Sequence, residues 1–317
     1  MKPLSLAVIL AAALLAASAH AQDLPALERT VWSNGPGGPE PSTRVPLRQN
    51  VTLSIKGGVL SNLPVDATWT GVGPEFQINL AQVIEGKRVP SICHGEIWAT
   101  DEGYRVRCAV IANMPMLEAH GKTKYLSYVQ VGPEVTVLLK PGQSVPLQIQ
   151  GNQTTTLTLV QGTTDYASQQ QLPPTSASTM VPAMLSQNMR VDFTGQGFDD
   201  NPVDIGLTTV SSSFNVNIVT SGREVNGVME PIITHCNGSL TPTPDGYLLN
   251  YGIGCNLPVV VSWAVSPDDP DKTTQSSVIY MSVDESSAVA LSPGVPVTVF
   301  NVNGKPLTVR VAPVAKK

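Results

Sequence analysis

Charge, aromatic rings and histidine are all scarce in this chain of 317 residues. Charged residues make up 14% and aromatics 5%, where ordinary domains carry about a quarter charged. With a formal net charge of −5 there is no excess of cations to neutralise a phosphate backbone, so nucleic acid is not an expected partner. Apart from His20, the histidines are His94, His120 and His235, and neither a CxxC nor an HExxH spacing occurs. His94 follows Cys93 while His235 precedes Cys236, so the two imidazoles point to opposite faces of their strands. A shared metal site is not expected, and no cofactor is implied. No G-x-S-x-G elbow is present. Gly195-Gln196-Gly197 lacks the third glycine and the following helix of a phosphate loop. Catalytic residues are therefore expected to be none.

The acids that occur in pairs, Asp101-Glu102, Asp199-Asp200 and Asp284-Glu285, fall where turns are expected. The same holds for the Ser211-Ser212-Ser213 cluster. Asp268, Asp269 and Asp271 crowd one loop, but Pro267 and Pro270 make it read as a stiff solvated turn rather than the six- to eight-oxygen cage calcium needs.

What is present begins at the N-terminus. Met1-Lys2, an apolar run to Ala17 and Ala19-His20-Ala21 before Gln22 have the order of a secretory signal peptide. The run is too short for a comfortable span, and no later stretch of about 20 apolar residues exists. The expected protein is exported, to periplasm, outer surface or medium, without a transmembrane segment once residues 1–21 are removed. Removal deletes Lys2 and no acid, making the charge one unit more negative. Export also suits the four cysteines, because disulfides persist in oxidising compartments.

Residues 22–44 are rich in Gly and Pro without a sustained period and read as an extended leader. From Val45 onward, short Val-, Thr- and Ile-rich runs alternate with turn residues at about 8–12-residue spacing, as in a sandwich or barrel. Residues 161–180 are polar and proline-interrupted and read as a linker. The strand pattern resumes over 181–317. The expectation is two domains, 45–160 and 181–317.

The stretch from Pro231 to Pro258 sets two cysteines on either side of Asp245-Gly246, a strong two-residue hairpin signal. With those two as the loop, Pro244 faces Tyr247 and Cys236 falls opposite Cys255, within reach of a disulfide. An ungapped copy lies earlier. Cys93-His94-Gly95 matches Cys236-Asn237-Gly238, Glu102-Gly103-Tyr104 matches Asp245-Gly246-Tyr247, and Asn113-Met114-Pro115 matches Asn256-Leu257-Pro258. In that register Ala112 faces Cys93 and Cys108 lies four residues away. Either the first hairpin turns earlier, near Thr100-Asp101, or its cysteines are not partners. The pairs expected are Cys93 with Cys108 and Cys236 with Cys255.

Further matches surround the hairpins. Pro64-Val65-Asp66 and Phe76 to Asn79 match Pro202-Val203-Asp204 and Phe214 to Asn217. Tyr128, Val131 and Pro141-Gly142 match Tyr280, Val283 and Pro293-Gly294. The fold class expected is all-β, two tandem antiparallel β-sandwich domains of immunoglobulin-like size related by internal duplication.

Trp98, Tyr104 and Tyr247 are the aromatics singled out for ligand contact, although Tyr104 and Tyr247 recur beside the turn in both copies, where packing explains them. The function expected is non-enzymatic: a structural or adhesive role toward a protein partner at the cell envelope. A pair of carbohydrate-binding modules and a secreted hydrolase with a carboxylate pair are the alternatives.

Overall fold

Alternation of Val, Ile, Leu and Phe with Thr, Ser, Asn and Gln gives each strand one apolar face, and burying those faces produces a sandwich-like, all-β arrangement. A computed structural model describes residues 45–317 apart from 60–62, 81, 85–86, 90, 121–122, 133, 151–152, 170–184, 199–200, 226–227, 266–272 and 315–317. The expected signal peptide and leader, residues 1–44, lie outside the described residues.

The first half of the chain supplies β1 (Val51–Val59), β2 (Leu63–Gly71), β3 (Glu75–Asn79), β4 (Gln82–Ile84), β5 (Lys87–Val89) and β6 (Ser91–Thr100). It continues with β7 (Gly103–His120), β8 (Thr123–Val131), β9 (Glu134–Leu139), β10 (Ser144–Gln150) and β11 (Gln153–Gln161). A one-turn helix, α1 (Tyr166–Gln169), follows. The second half supplies β12 (Met189–Phe198), β13 (Asn201–Thr209), β14 (Ser213–Val225) and β15 (Val228–Thr243). It ends with β16 (Gly246–Val265), β17 (Thr273–Leu291), β18 (Val297–Val302) and β19 (Lys305–Pro313).

Two antiparallel sheets hold nearly all of these strands. One runs β10-β11-β1-β2-β18-β19-β12-β13; the other runs β14-β15-β16-β17-β3-β6-β7-β8, with β9 also paired to β7. The first sheet thus takes four consecutive positions from each half, while the second takes β14 to β17 from one half and β3, β6, β7, β8 and β9 from the other, with β8 also pairing with β16. In the first, β10-β11-β1-β2 is followed by β18-β19-β12-β13, the last two strands of each half preceding its first two. The ladders also share registers. Leu53 faces Trp69 as Val191 faces Leu207, and Tyr104 faces Leu139 as Tyr247 faces Leu291. An irregularity between Pro146 and Gln148 on β10 recurs between Thr298 and Phe300 on β18.

The core lies between the sheets. Trp69, Tyr104, Phe193, Leu53, Ile55 and Ile78 are among its fully buried side chains, and one continuous cluster spans both halves. Each such side chain stabilises the fold by about 1.5–3 kcal/mol relative to exposure. Trp69 stacks on Phe76 with ring centroids 4.7 Å apart.

Three expectations need correction. The Cys236 hairpin turns one residue earlier than Asp245-Gly246 implied, Thr243 pairing with Gly246, and the Cys93 hairpin takes the earlier of its two expected turns, Thr100 pairing with Gly103. Pro244 has no N–H for the ladder, so it takes the first loop position, where its fixed φ suits the turn, instead of facing Tyr247. Second, Asp284-Glu285 is no turn. It lies within β17, one uninterrupted strand of 19 residues. Third, the start of the expected linker is packed. Tyr166 meets Tyr104 edge-on at 5.5 Å, and buried Gln169 accepts the Gln49 N–H through Oε1 at 3.1 Å. Residues 170–180 lie outside the described residues, and Thr43–Lys317 form one compact unit.

Candidate functional site

The hairpin register decides where the cysteines sit. Cys93 faces Val110 and Cys236 faces Ile253, while Cys108 faces Gly95 and Cys255 faces Thr234. Each pair is therefore diagonal across neighbouring strands, not directly opposed as the Asp245-Gly246 loop implied for Cys236 and Cys255. Cys93 Sγ lies 3.3 Å from Cys108 Sγ in the interior. The hydrogen bond with Cys108 and then burial raise the Cys93 thiol well above its usual range. Burial alone pushes Cys236 up to about 12. Reactive cysteines need the opposite shift, so Cys93 and Cys236 are not set up as nucleophiles, and all four cysteines are buried as free thiols.

The aromatics singled out from sequence are held by the fold. Trp98 and Tyr104 are buried, and Tyr104 Oη donates to the Thr163 carbonyl at 3.2 Å. Desolvation raises the Tyr104 phenol. Tyr247 is half-buried and its Oη donates to Sδ of Met189 at 3.5 Å. Among the described residues the exposed aromatic is Tyr280, whose hydroxyl donates to Glu230 and titrates higher for that reason.

Charged side chains gather on the outer face of the second sheet. A shallow cleft of about 530 Å³ is lined by Glu75, Gln77, His94, Glu96, Arg107 and Glu134, among others. Arg107 donates to Glu134 Oε1 from Nη2 at 2.7 Å and Nε at 2.9 Å, and its Nη1 lies 3.9 Å from Glu96 Oε2. Two carboxylates with a guanidinium between them form an ion-pair network, whereas glycoside hydrolysis needs a protonated acid facing a free carboxylate. Nearby, His235 Nε2 lies 2.6 Å from Asp284 Oδ1, and Ser282 Oγ donates to Asp284 Oδ2 at 2.8 Å. Here the carboxylate stands between serine and imidazole. Nucleophile activation requires the imidazole in the middle, so this trio orients side chains without activating Ser282. Among the described residues no three His, Cys, Asp or Glu side chains converge as metal ligands. The acidic loop 266–272 and the Asp199-Asp200 pair lie outside the described residues.

A different feature was not visible in the sequence: the joint where the halves share their sheets. In the first sheet Trp69, Thr68 and Ala67 of β2 pair with Phe300, Asn301 and Val302 of β18. In the second, Gln77 of β3 pairs with Ser286 of β17, and Gln77 Nε2 donates to the Asp284 carbonyl at 3.1 Å. The Val72 N–H donates to the Ala288 carbonyl at 2.8 Å. Asn50 grips β17 like a short extra strand, Nδ2 donating to the Ala290 carbonyl at 2.8 Å and Oδ1 accepting the Ala290 N–H at 2.9 Å. Trp69 Nε1 donates to Ser287 Oγ at 2.9 Å inside the core. Buried Glu285 accepts the Asn79 N–H at 2.8 Å, and burial followed by the neighbouring Asp284 raises its carboxyl well above the ordinary range.

The strands that end the sheets are the other outcome of this topology. β10 and β13 close the first sheet, and β14 closes one end of the second. Along β14 and its partner β15, Val219 is 68% exposed, Met229 66% and Ile233 37%, with Val219 and Ile233 directly paired. An unpaired strand edge flanked by bare apolar side chains is a template for another strand. Sequence reasoning located these strands but could not tell an edge from an interior position. Comparison with known protein families, with curated proteins and with solved structures returns no match.

Proposed function

We propose that this is an exported, non-enzymatic protein of the cell envelope or its surroundings, with a structural or adhesive role toward a protein partner. Its two halves are copies of one antiparallel sandwich of immunoglobulin-like size, joined by duplication, and each hairpin carries a disulfide. The partner is engaged by β-strand addition at an open sheet edge, where main-chain hydrogen bonds supply affinity and flanking side chains supply selection. One observation carries the reading: the edge strand β14 beside exposed Val219, Met229 and Ile233. The N-terminal signal pattern supports export, and the low content of charge suits a protein built to lie against others.

Capture from an envelope extract tests the reading. Val219→Lys with Met229→Lys places two cations on the apolar edge without touching the core, and is expected to lower partner capture at least about tenfold. Equal capture by the wild-type chain and this variant overturns edge recognition at β14.

A further inference from the structure

We infer that the joint between the halves is also made between molecules, so that copies of this chain add head to tail. This rests on the edge-recognition reading and names the partner as a second copy. Inside one chain, β2 and β3 of the first half meet β18 and β17 of the second, and β8 also pairs with β16. Their counterparts β13 and β14 form one end of the molecule, while β10 and β9, the counterparts of β18 and β17, form the other. Every molecule therefore carries both sides of the β2–β18 and β3–β17 parts of the joint, one at each end. Such a pair of unlike surfaces does not close a dimer; it propagates.

The chemistry of the joint recurs at the free ends. Leu47 N–H donates to the Val72 carbonyl just as Leu185 N–H donates to that of Val210, which makes Val210 the counterpart of Val72. Val72 is fully covered at the joint and Val210 is 36% exposed. Asn188 precedes β12 as Asn50 precedes β1, and it is exposed where Asn50 is occupied with Ala290. The matching residue on β9 is Leu138, which faces Arg105 as Ala290 faces Leu248. In that register Leu138 turns its N–H and C=O away from β7, free for the amide of Asn188 from a neighbouring copy. Thr136 stands where Ala288 accepts from Val72, and it is exposed. Phe76, Ile78 and Leu80 are buried beside the joint, while Phe214, Val216 and Ile218 at the free end are only half-buried. The bond from Trp69 to Ser287 has no copy, but its counterparts Leu207 and Val135 are both apolar and half-buried, so that contact becomes a hydrophobic one.

Within the chain the joint forms at the effective concentration set by the connection, of the order of mM. Between molecules it forms as protein concentration rises toward that level. Sedimentation velocity on the processed protein, from about 1 µM to about 1 mM, is the test. The wild-type chain is expected to grow through dimers to longer species. Val210→Lys blocks one end and Thr136→Lys the other, and each alone is expected to sediment as a monomer. Mixed together, they have one good end each and are expected to give dimers and nothing longer. Val160→Lys, on the exposed face of an interior strand, is expected to assemble like the wild type, and thermal unfolding checks that all variants are folded.

A wild-type monomer throughout the range overturns the inference. So does a Thr136→Lys dimer, which would mean like ends meeting. Amide hydrogen exchange separates this failure from that of edge recognition. Fast exchange at β13 and β14 in the monomer leaves the edge open to another protein and sinks only the second copy. Slow exchange there shows the edge covered by the chain itself and sinks both.

Discussion

Val72 and Val210 make the same contact to the chain before them, yet Val72 is fully buried and Val210 is 36% exposed. The carbonyl of each accepts from a leucine N–H, Leu47 at 2.8 Å and Leu185 at 2.9 Å. Val72 also donates its N–H to the Ala288 carbonyl of β17. Val72→Lys therefore forces a cation into the covered joint, and is expected to cost about 3 kcal/mol or more. Val210→Lys, with its side chain reaching water, should change monomer stability by no more than about 0.5 kcal/mol. Urea midpoints for the two variants check this, and equal losses would mean that the joint is not what buries Val72.

The thiols of Cys93 and Cys108 touch across a hairpin, 3.3 Å apart. In an oxidising compartment they are expected to be joined, and Cys236 with Cys255 likewise. Non-reducing peptide mapping should return these two linkages and no crossed ones. Cys93→Ala is expected to cost about 3 kcal/mol under oxidising conditions, the chain-entropy value for a loop of about 15 residues. Under reducing conditions the cost should shrink toward that of a buried thiol deletion. Free thiols at all four positions in the exported protein would remove the disulfides from the account.

Much of this architecture could be read from residues. Alternating Val and Thr marked the strands, and the Cys93 and Cys236 segments each lie in an antiparallel hairpin, Cys93 facing Val110 and Cys236 facing Ile253. Pro244 was the signal that the turn comes one residue early, because a ladder position wants an N–H. Asn50 shows what the sequence could not carry. Its amide binds Ala290, 240 positions away, and nothing local distinguishes it from any polar residue before a strand. Glu285 misled for a related reason. Beside Asp284 it resembles a turn acid, yet it lies buried in β17 and accepts the Asn79 N–H at the end of β3.

Gly103 and Gly246 close the two hairpins with φ of 156° and 147°. A Cβ on Gly246 would meet the Leu291 carbonyl oxygen at 2.3 Å, and one on Gly103 would meet that of Leu139 at 2.7 Å. Backbone geometry and crowding thus both demand glycine after the turn. Gly246→Ala and Gly103→Ala are each expected to lose about 1–3 kcal/mol, the cost of a strained backbone position. Gly142 offers a control: its φ is 79° but a Cβ there meets nothing within 4 Å, so Gly142→Ala should lose only the φ penalty. Thermal unfolding that ranks Gly142→Ala as the worst of the three would contradict the close approach of β9 and β17 to these turns.

Glu285 gives the fold a pH dependence whose sign is fixed. Its carboxyl is raised in the folded chain, by burial first and by Asp284 after that. At low pH folded and unfolded chains both hold the proton. As pH rises past about 4.5, the ordinary value, the unfolded chain releases it while the folded chain retains it. The folded state then binds more protons, so stability falls with rising pH until the raised value is passed. Glu285→Gln keeps an oxygen for the Asn79 N–H and has no proton to lose. This variant is expected to match the wild type near pH 4 and to be more stable than it at pH 8, the gap opening above about 4.5 and levelling once the raised value is passed. Urea unfolding across that range measures the gap, and parallel curves would show that Glu285 does not enter the folded joint as a neutral group.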